Sequence, residues 1–176
     1  ERRTADDIWR SLNVVSPSLI RVEADEVTYN LHVIARFELE KALVGGDLTV
    51  DDLPTAWADT YEDLLGVRPN TAADGVLQDI HWSMGAFGYF PTYTIGNLVA
   101  AQLFEAATAA IGAGDLEASF AAGEFGGLLD WLRANVHDAA SLHLPDDLVS
   151  RATGRPLAPD AFLARVRSIC AQQYGV

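Results

Sequence analysis

Apolar residues recur three and four positions apart along almost the whole chain, the spacing that gathers side chains on one face of a helix. Thr4 ahead of Ala5, Asp6 and Asp7 predicts a helix start, with carboxylates in the first turn where the dipole favours them. Ile8, Leu12 and Val15 continue that helix until Ser16-Pro17-Ser18 breaks it. A long helix is predicted over 19–43, with Ile20, Ala24, Val27, Leu31, Ile34 and Ala42 near one face and Gly45-Gly46 at its end. Asp51 and Asp52 open the next, Trp57, Tyr61, Leu64 and Leu65 point inward, and Gly66 closes it. A short helix is expected over 71–78. Gly85, Gly88 and Pro91 then make 84–92 irregular, and Thr94 begins another long helix that ends at Ile111. Helical spacing returns over 116–122, 124–138, 146–153 and 160–174. Strand alternation is essentially absent, and no internal repeat or dividing linker interrupts the pattern. The prediction is an all-α chain forming a single helical unit over 1–176.

Two stretches break this pattern with polar groups. In 19–43, taken as one helix, Arg21, Asp25, Thr28 and His32 fall within roughly 60° of each other. Such a stripe reads as a solvated face, as an Arg21–Asp25 ion pair four residues apart, or as part of a site. His32 is assigned a structural role. The second stretch, Gly75–Gln102, packs Gln78, Asp79, His81, Trp82, Tyr89 and Tyr93 between glycines, where helix surface would carry charges.

Composition narrows the possibilities. Hydrophobic residues make up 49% of the 176, which excludes disorder. No uninterrupted apolar run reaches the roughly 18 residues needed to span a bilayer; the richest, 95–111, contains Asn97, Gln102 and Glu105. Twelve Lys and Arg against 25 Asp and Glu give a net charge of −13, which argues against nucleic acid and anionic membranes as partners. The single cysteine, Cys170, has no partner for an internal disulfide and shares an apolar stripe with Phe162, Leu163, Val166 and Ile169, so an inert thiol in a reducing cytosol is expected. The opening ERRTADDIWR lacks the apolar core of a signal peptide, and its first residue, Glu1 rather than Met, is what a piece of a longer chain would show.

Known catalytic patterns are few. There is no G-x-S-x-G elbow, P-loop or G-x-G-x-x-G fingerprint. His137 and His143 are not spaced as a zinc pair, and no H-E-x-x-H occurs. Two motifs do stand out: IRVEAD at 20–25 has the form I-R-x-x-A-D, and GVLQDIHW at 75–82 has the form G-x-x-Q-D-x-H-W. Both match, at every fixed position, the C-terminal motifs of the carboxypeptidase Taq family, the zinc metallocarboxypeptidases that carry H-E-x-x-H.

The chain thus resembles the C-terminal portion of that family, densely over 1–105 and more thinly over the helical tail 106–176. The resemblance implies a mostly helical fold with an active-site groove, cytoplasmic location and homodimers. It implies hydrolysis that releases C-terminal amino acids from peptides, using zinc or another divalent metal such as cobalt. The metal would be held by residues absent from this chain, so this piece is expected to bind no metal and to be inactive alone. Its partners would be a peptide with a free C-terminal carboxylate and the missing N-terminal half of the polypeptide. Arg21 is then expected to grip the substrate carboxylate, since a guanidinium offers a planar fork that matches it. Tyr93 would assist. His81 and Tyr89 are the expected catalytic contacts at the scissile carbonyl. Asp25 would orient Arg21, and Asp79 would fix the tautomer of His81. A helical peptide-binding or regulatory module without catalysis is the alternative.

Overall fold

The computed structural model describes residues 3–176; among them eight α-helices occur and no strand. The capping signal at the start is realised. In front of α1 (Ala5–Leu12), the Thr4 hydroxyl accepts from the Asp7 amide while the Asp7 carboxylate accepts from the Thr4 amide.

The predicted long helix is shorter than its pattern. Residues Arg21–Glu23 form a single 3-10 turn, and α2 begins only at Tyr29, running Tyr29–Gly45. The reason is local. The Asp25 carboxylate accepts from the amides of Val27 and Thr28 and from the Thr28 hydroxyl, which offers the backbone an alternative to the helix ladder. Its other oxygen also takes the Ser16 amide. The stripe of Arg21, Asp25, Thr28 and His32 is therefore not a helix face.

Gly46 ends α2 in the left-handed conformation at φ 83°, and α3 (Leu53–Leu65) ends likewise at Gly66, φ 70°. Helix α3 packs on α2 around Ala35, Leu39, Leu53, Trp57, Tyr61 and Leu65. Residues 71–78 are successive turns rather than a helix, with the Thr71 hydroxyl accepting from the Asp74 amide and Gly75 in their midst. A second 3-10 turn, Trp82–Met84, leads to α4 (Pro91–Ile111), which starts three residues before the predicted Thr94 because Pro91 suits a first helical position.

The chain divides into two compact units. One takes in the chain as far as Ile95 together with Val166–Val176; the other is Gly96–Arg165. In the first, Tyr174 of the last helix holds residue 15: its hydroxyl accepts from the Val15 amide. The second contains α5 (Ala113–Ala121), α6 (Gly126–Leu132), which runs into a π turn at Arg133–His137, and α7 (Pro145–Thr153). Helix α8 (Asp160–Tyr174) matches its predicted bounds. By length and a mean hydropathy of 1.2, α4 is apolar enough to cross a membrane. Its polar groups are spent on protein, however. Fully buried Gln102 donates to the Thr153 hydroxyl and to the carbonyls of Arg155 and Pro156 and accepts from the Ala158 amide, while Glu105 pairs with Arg155.

Candidate functional site

The buried face of α2 carries polar side chains one turn apart: His32 and Arg36 are fully buried and Glu40 is 4% exposed. This column faces residues 78–93, so the two polar stretches of the sequence meet, but through a helix face that hydrophobic periodicity does not reveal.

At the centre is Asp79, gripped by two arginines. Arg21 Nη2 donates to Asp79 Oδ1 at 2.7 Å and its Nε to Oδ2 at 3.3 Å. Arg36 Nε donates to Oδ2 at 2.7 Å, and its Nη2 also lies 2.6 Å from that oxygen. Burial would raise the carboxyl's pKa, but the two guanidiniums outweigh it and hold Asp79 below the usual carboxylate range. Burial would likewise lower the pKa of Arg21, and its bond to Asp79 outweighs that too, so the guanidinium keeps its charge.

Gln78 ties the same groups together. Its Oε1 accepts from the Arg21 backbone amide and from Arg36 Nη2, and its Nε2 donates to the carbonyls of Leu19 and Asp74. Arg36 Nη1 donates to the His32 carbonyl and the Tyr61 hydroxyl, and its guanidinium lies 4.6 Å from the Trp57 ring centroid. His32 Nδ1 lies 3.1 Å from the Tyr61 hydroxyl. Burial, reinforced by the charges of Arg36 and Arg21, drives the His32 pKa down to about 4. Burial also raises that of Tyr61.

Arg21 forms the other wall. Its Nη1 donates to the Tyr29 hydroxyl at 2.9 Å, and its guanidinium carbon sits 4.9 Å from the centroid of the Tyr93 ring. Of five N–H groups, three are engaged in these bonds, leaving one on each terminal nitrogen. His81 is next in line: Nε2 is 3.0 Å from the Tyr93 hydroxyl, and its ring lies 5.6 Å from Tyr89 and 4.4 Å from Phe90, centroid to centroid. Tyr89 is half exposed.

Of the six residues expected from the sequence, five converge: Arg21, Asp79, His81, Tyr89 and Tyr93. Two of the expected contacts are not formed. Asp25 binds the backbone of the turn that precedes α2, and the ion-pair partner of Arg21 is Asp79. Asp79 does not hydrogen-bond His81: Oδ1 is 3.8 Å from Nδ1, and that nitrogen is buried without a partner. The arginines have taken the carboxylate first. Sequence reasoning missed Arg36, Glu40, Tyr29 and Tyr61. The available signal was a histidine, an arginine and a glutamate at four-residue spacing in a helix that otherwise packs on α3.

Among the described residues, no group of three or more His, Cys, Asp or Glu is placed to hold a metal ion. A zinc site does not fit the residues present.

Comparison with known proteins agrees with the motifs. The sequence profile described as carboxypeptidase Taq (M32) metallopeptidase matches residues 1–170. The thermostable carboxypeptidase 1 of Thermus thermophilus is 54% identical over 170 residues, which is 97% of this chain and 33% of that protein. Thermostable carboxypeptidase 1 of Pyrococcus furiosus is 42% identical over 164 residues, 93% of this chain and 32% of that one. The crystal structure of an M32 carboxypeptidase from Deinococcus radiodurans R1 superposes with a TM-score of 0.94 at 46% identity, covering 98% of this chain and 35% of that one. The chain spans about a third of the length of the curated relatives it matches.

Proposed function

Because this chain belongs to the carboxypeptidase Taq (M32) metallopeptidase family, we propose that it supplies the substrate-recognition part of an enzyme that releases C-terminal amino acids from peptides. The observation that carries this reading is the sharing of one carboxylate by two guanidiniums. Asp79 alone does not neutralise both Arg21 and Arg36, and Arg21 keeps an N–H on each terminal nitrogen. A second carboxylate, that of the peptide end, completes the pairing. At 6% exposure Arg21 offers only a narrow edge, which favours a single planar anion over a broad surface.

Tyr93 borders this edge with its ring against the guanidinium and its hydroxyl turned to His81. His81 and Tyr89 then lie one residue further along the peptide, at the scissile carbonyl. His81, hydrogen-bonded to the Tyr93 hydroxyl and beside half-exposed Tyr89, is the group assigned to orient the peptide or to meet developing negative charge. The catalytic metal, zinc or another divalent ion, belongs to residues outside this set. Homodimers and a cytosolic location are part of the same proposal.

The test is Arg21→Ala in the native polypeptide. Asp79 keeps Arg36 in that variant, so the fold retains its buried ion pair. KM for a peptide with a free C-terminus should rise by about tenfold or more, with metal content unchanged. An unchanged KM would sink the carboxylate-grip assignment.

A further inference from the structure

Glu40 is the one charged member of the α2 column that the carboxylate grip does not use. It is 4% exposed, and no cation lies within ion-pair distance of it among the described residues. A buried carboxylate without a cation is costly unless hydrogen bonds satisfy it. Two do. Oε1 accepts from the Trp82 indole Nε1 at 2.6 Å, and Oε2 accepts from the Gly88 amide at 3.2 Å.

The two donors bracket a loop. Trp82 follows His81 directly, and Gly88 precedes Tyr89 directly. Gly85 between them, and Gly88 itself, take positive φ angles of 75° and 79°, a conformation that glycine adopts without strain. The Phe87 ring stacks on Trp82, 6.1 Å apart and 8° from parallel, but is itself half exposed. The Glu40 carboxylate therefore ties both ends of the loop to the rigid α2–α3 pair. Only a carboxylate has two acceptor oxygens and no donor; a glutamine would turn its NH2 toward one of the two N–H groups.

We propose that Glu40 is a positioning residue of the catalytic loop, setting the His81–Tyr89 arrangement by latching Trp82 and Gly88 to α2. The inference rests on the proposed roles of His81 and Tyr89. Neither the sequence motifs nor hydrophobic periodicity point to Glu40.

Glu40→Gln in the native polypeptide tests the proposal, with hydrogen exchange over 82–90 and steady-state kinetics read on the same preparation. Exchange over 82–90 should accelerate about tenfold while α2 and α3 stay protected. The kcat should fall about tenfold, with KM within about twofold, a split that general destabilisation does not produce. If Glu40→Gln does not fold, Trp82→Phe removes one of the two donors and is read in the same assays. Unchanged exchange over 82–90, or a loosened loop with unchanged kcat, overturns the proposal. His81→Ala with unchanged kcat would overturn the role given to His81 instead, and the exchange measurement would then decide the latch by itself.

Discussion

Gln102 and Asp79 are both polar side chains taken out of water, and they are handled in opposite ways. Gln102 is neutral, and three acceptors and one donor surround it, all but one supplied by backbone. Asp79 is charged, contested by two arginines, and surrounded by side chains of which three, His32, Trp57 and His81, keep a buried nitrogen with no partner. A fully satisfied neutral group fastens a fold and asks nothing of a ligand. A cluster with more cations than anions at its centre and spare N–H groups remains open to one. Burial of polarity does not by itself mark a site; several incompletely satisfied groups gathered round a shared charge leave room for a ligand to complete them.

The largest expected effect tests the charged side of that contrast. Asp79→Ala strands two buried guanidiniums and should cost about 3–5 kcal/mol in denaturant unfolding. A loss under about 1 kcal/mol would mean that water already screens the cluster.

His32 gives the same region a pH signature. Its folded pKa of about 4 lies below the ordinary 6.5, so the unfolded chain takes up the proton first as pH falls. Stability is complete above pH 6.5 and declines toward pH 4 by about 1.4 kcal/mol per unit, near 2 kcal/mol between pH 6.5 and 5. Asp79, lowered from 3.8, adds its own loss only below that window. A His32→Leu variant should lose the slope; a flat wild-type profile over pH 5–6.5 would show that the imidazole is reached by water.

Gln102→Leu sharpens the other side. It should cost about 1–3 kcal/mol by leaving the partners unsatisfied, without changing KM or kcat. A kinetic effect equal to that of Arg21→Ala would erase the distinction between the two regions. The smallest effect belongs to the surface. Arg68 bridges Asp59 and Glu62 in water, and Arg68→Met should leave the unfolding midpoint essentially unmoved in the same experiment.

Much of this architecture is legible in the sequence. Capping at Thr4, glycine stops at 46 and 66 and the bounds of α8 follow from rules that act within one turn of chain. The start of α2 does not, because Asp25 sits at a place where periodicity favours helix while its own side chain favours a turn. The site divides along the same line. Arg21, Asp79 and His81 stand out as polar residues in motifs and Tyr93 in the polar stretch that follows, but Arg36 and Glu40 look like ordinary helix surface until a segment more than forty residues later covers them. Pairings over such separations leave no local trace.

The same separation sets the order of assembly. Helices α2 and α3 are joined by a short link and find each other early, whereas Asp79 and Trp82 enter only once residues 78–90 have folded back. Until then Arg36 and Glu40 stay hydrated on the half-formed hairpin. Ordering of the glycine loop and dehydration of those two charges are thus one event. In refolding, the change at Trp82 is expected to lag the gain of helix, and the Arg21–Asp79–Arg36 cluster to form only at that late step.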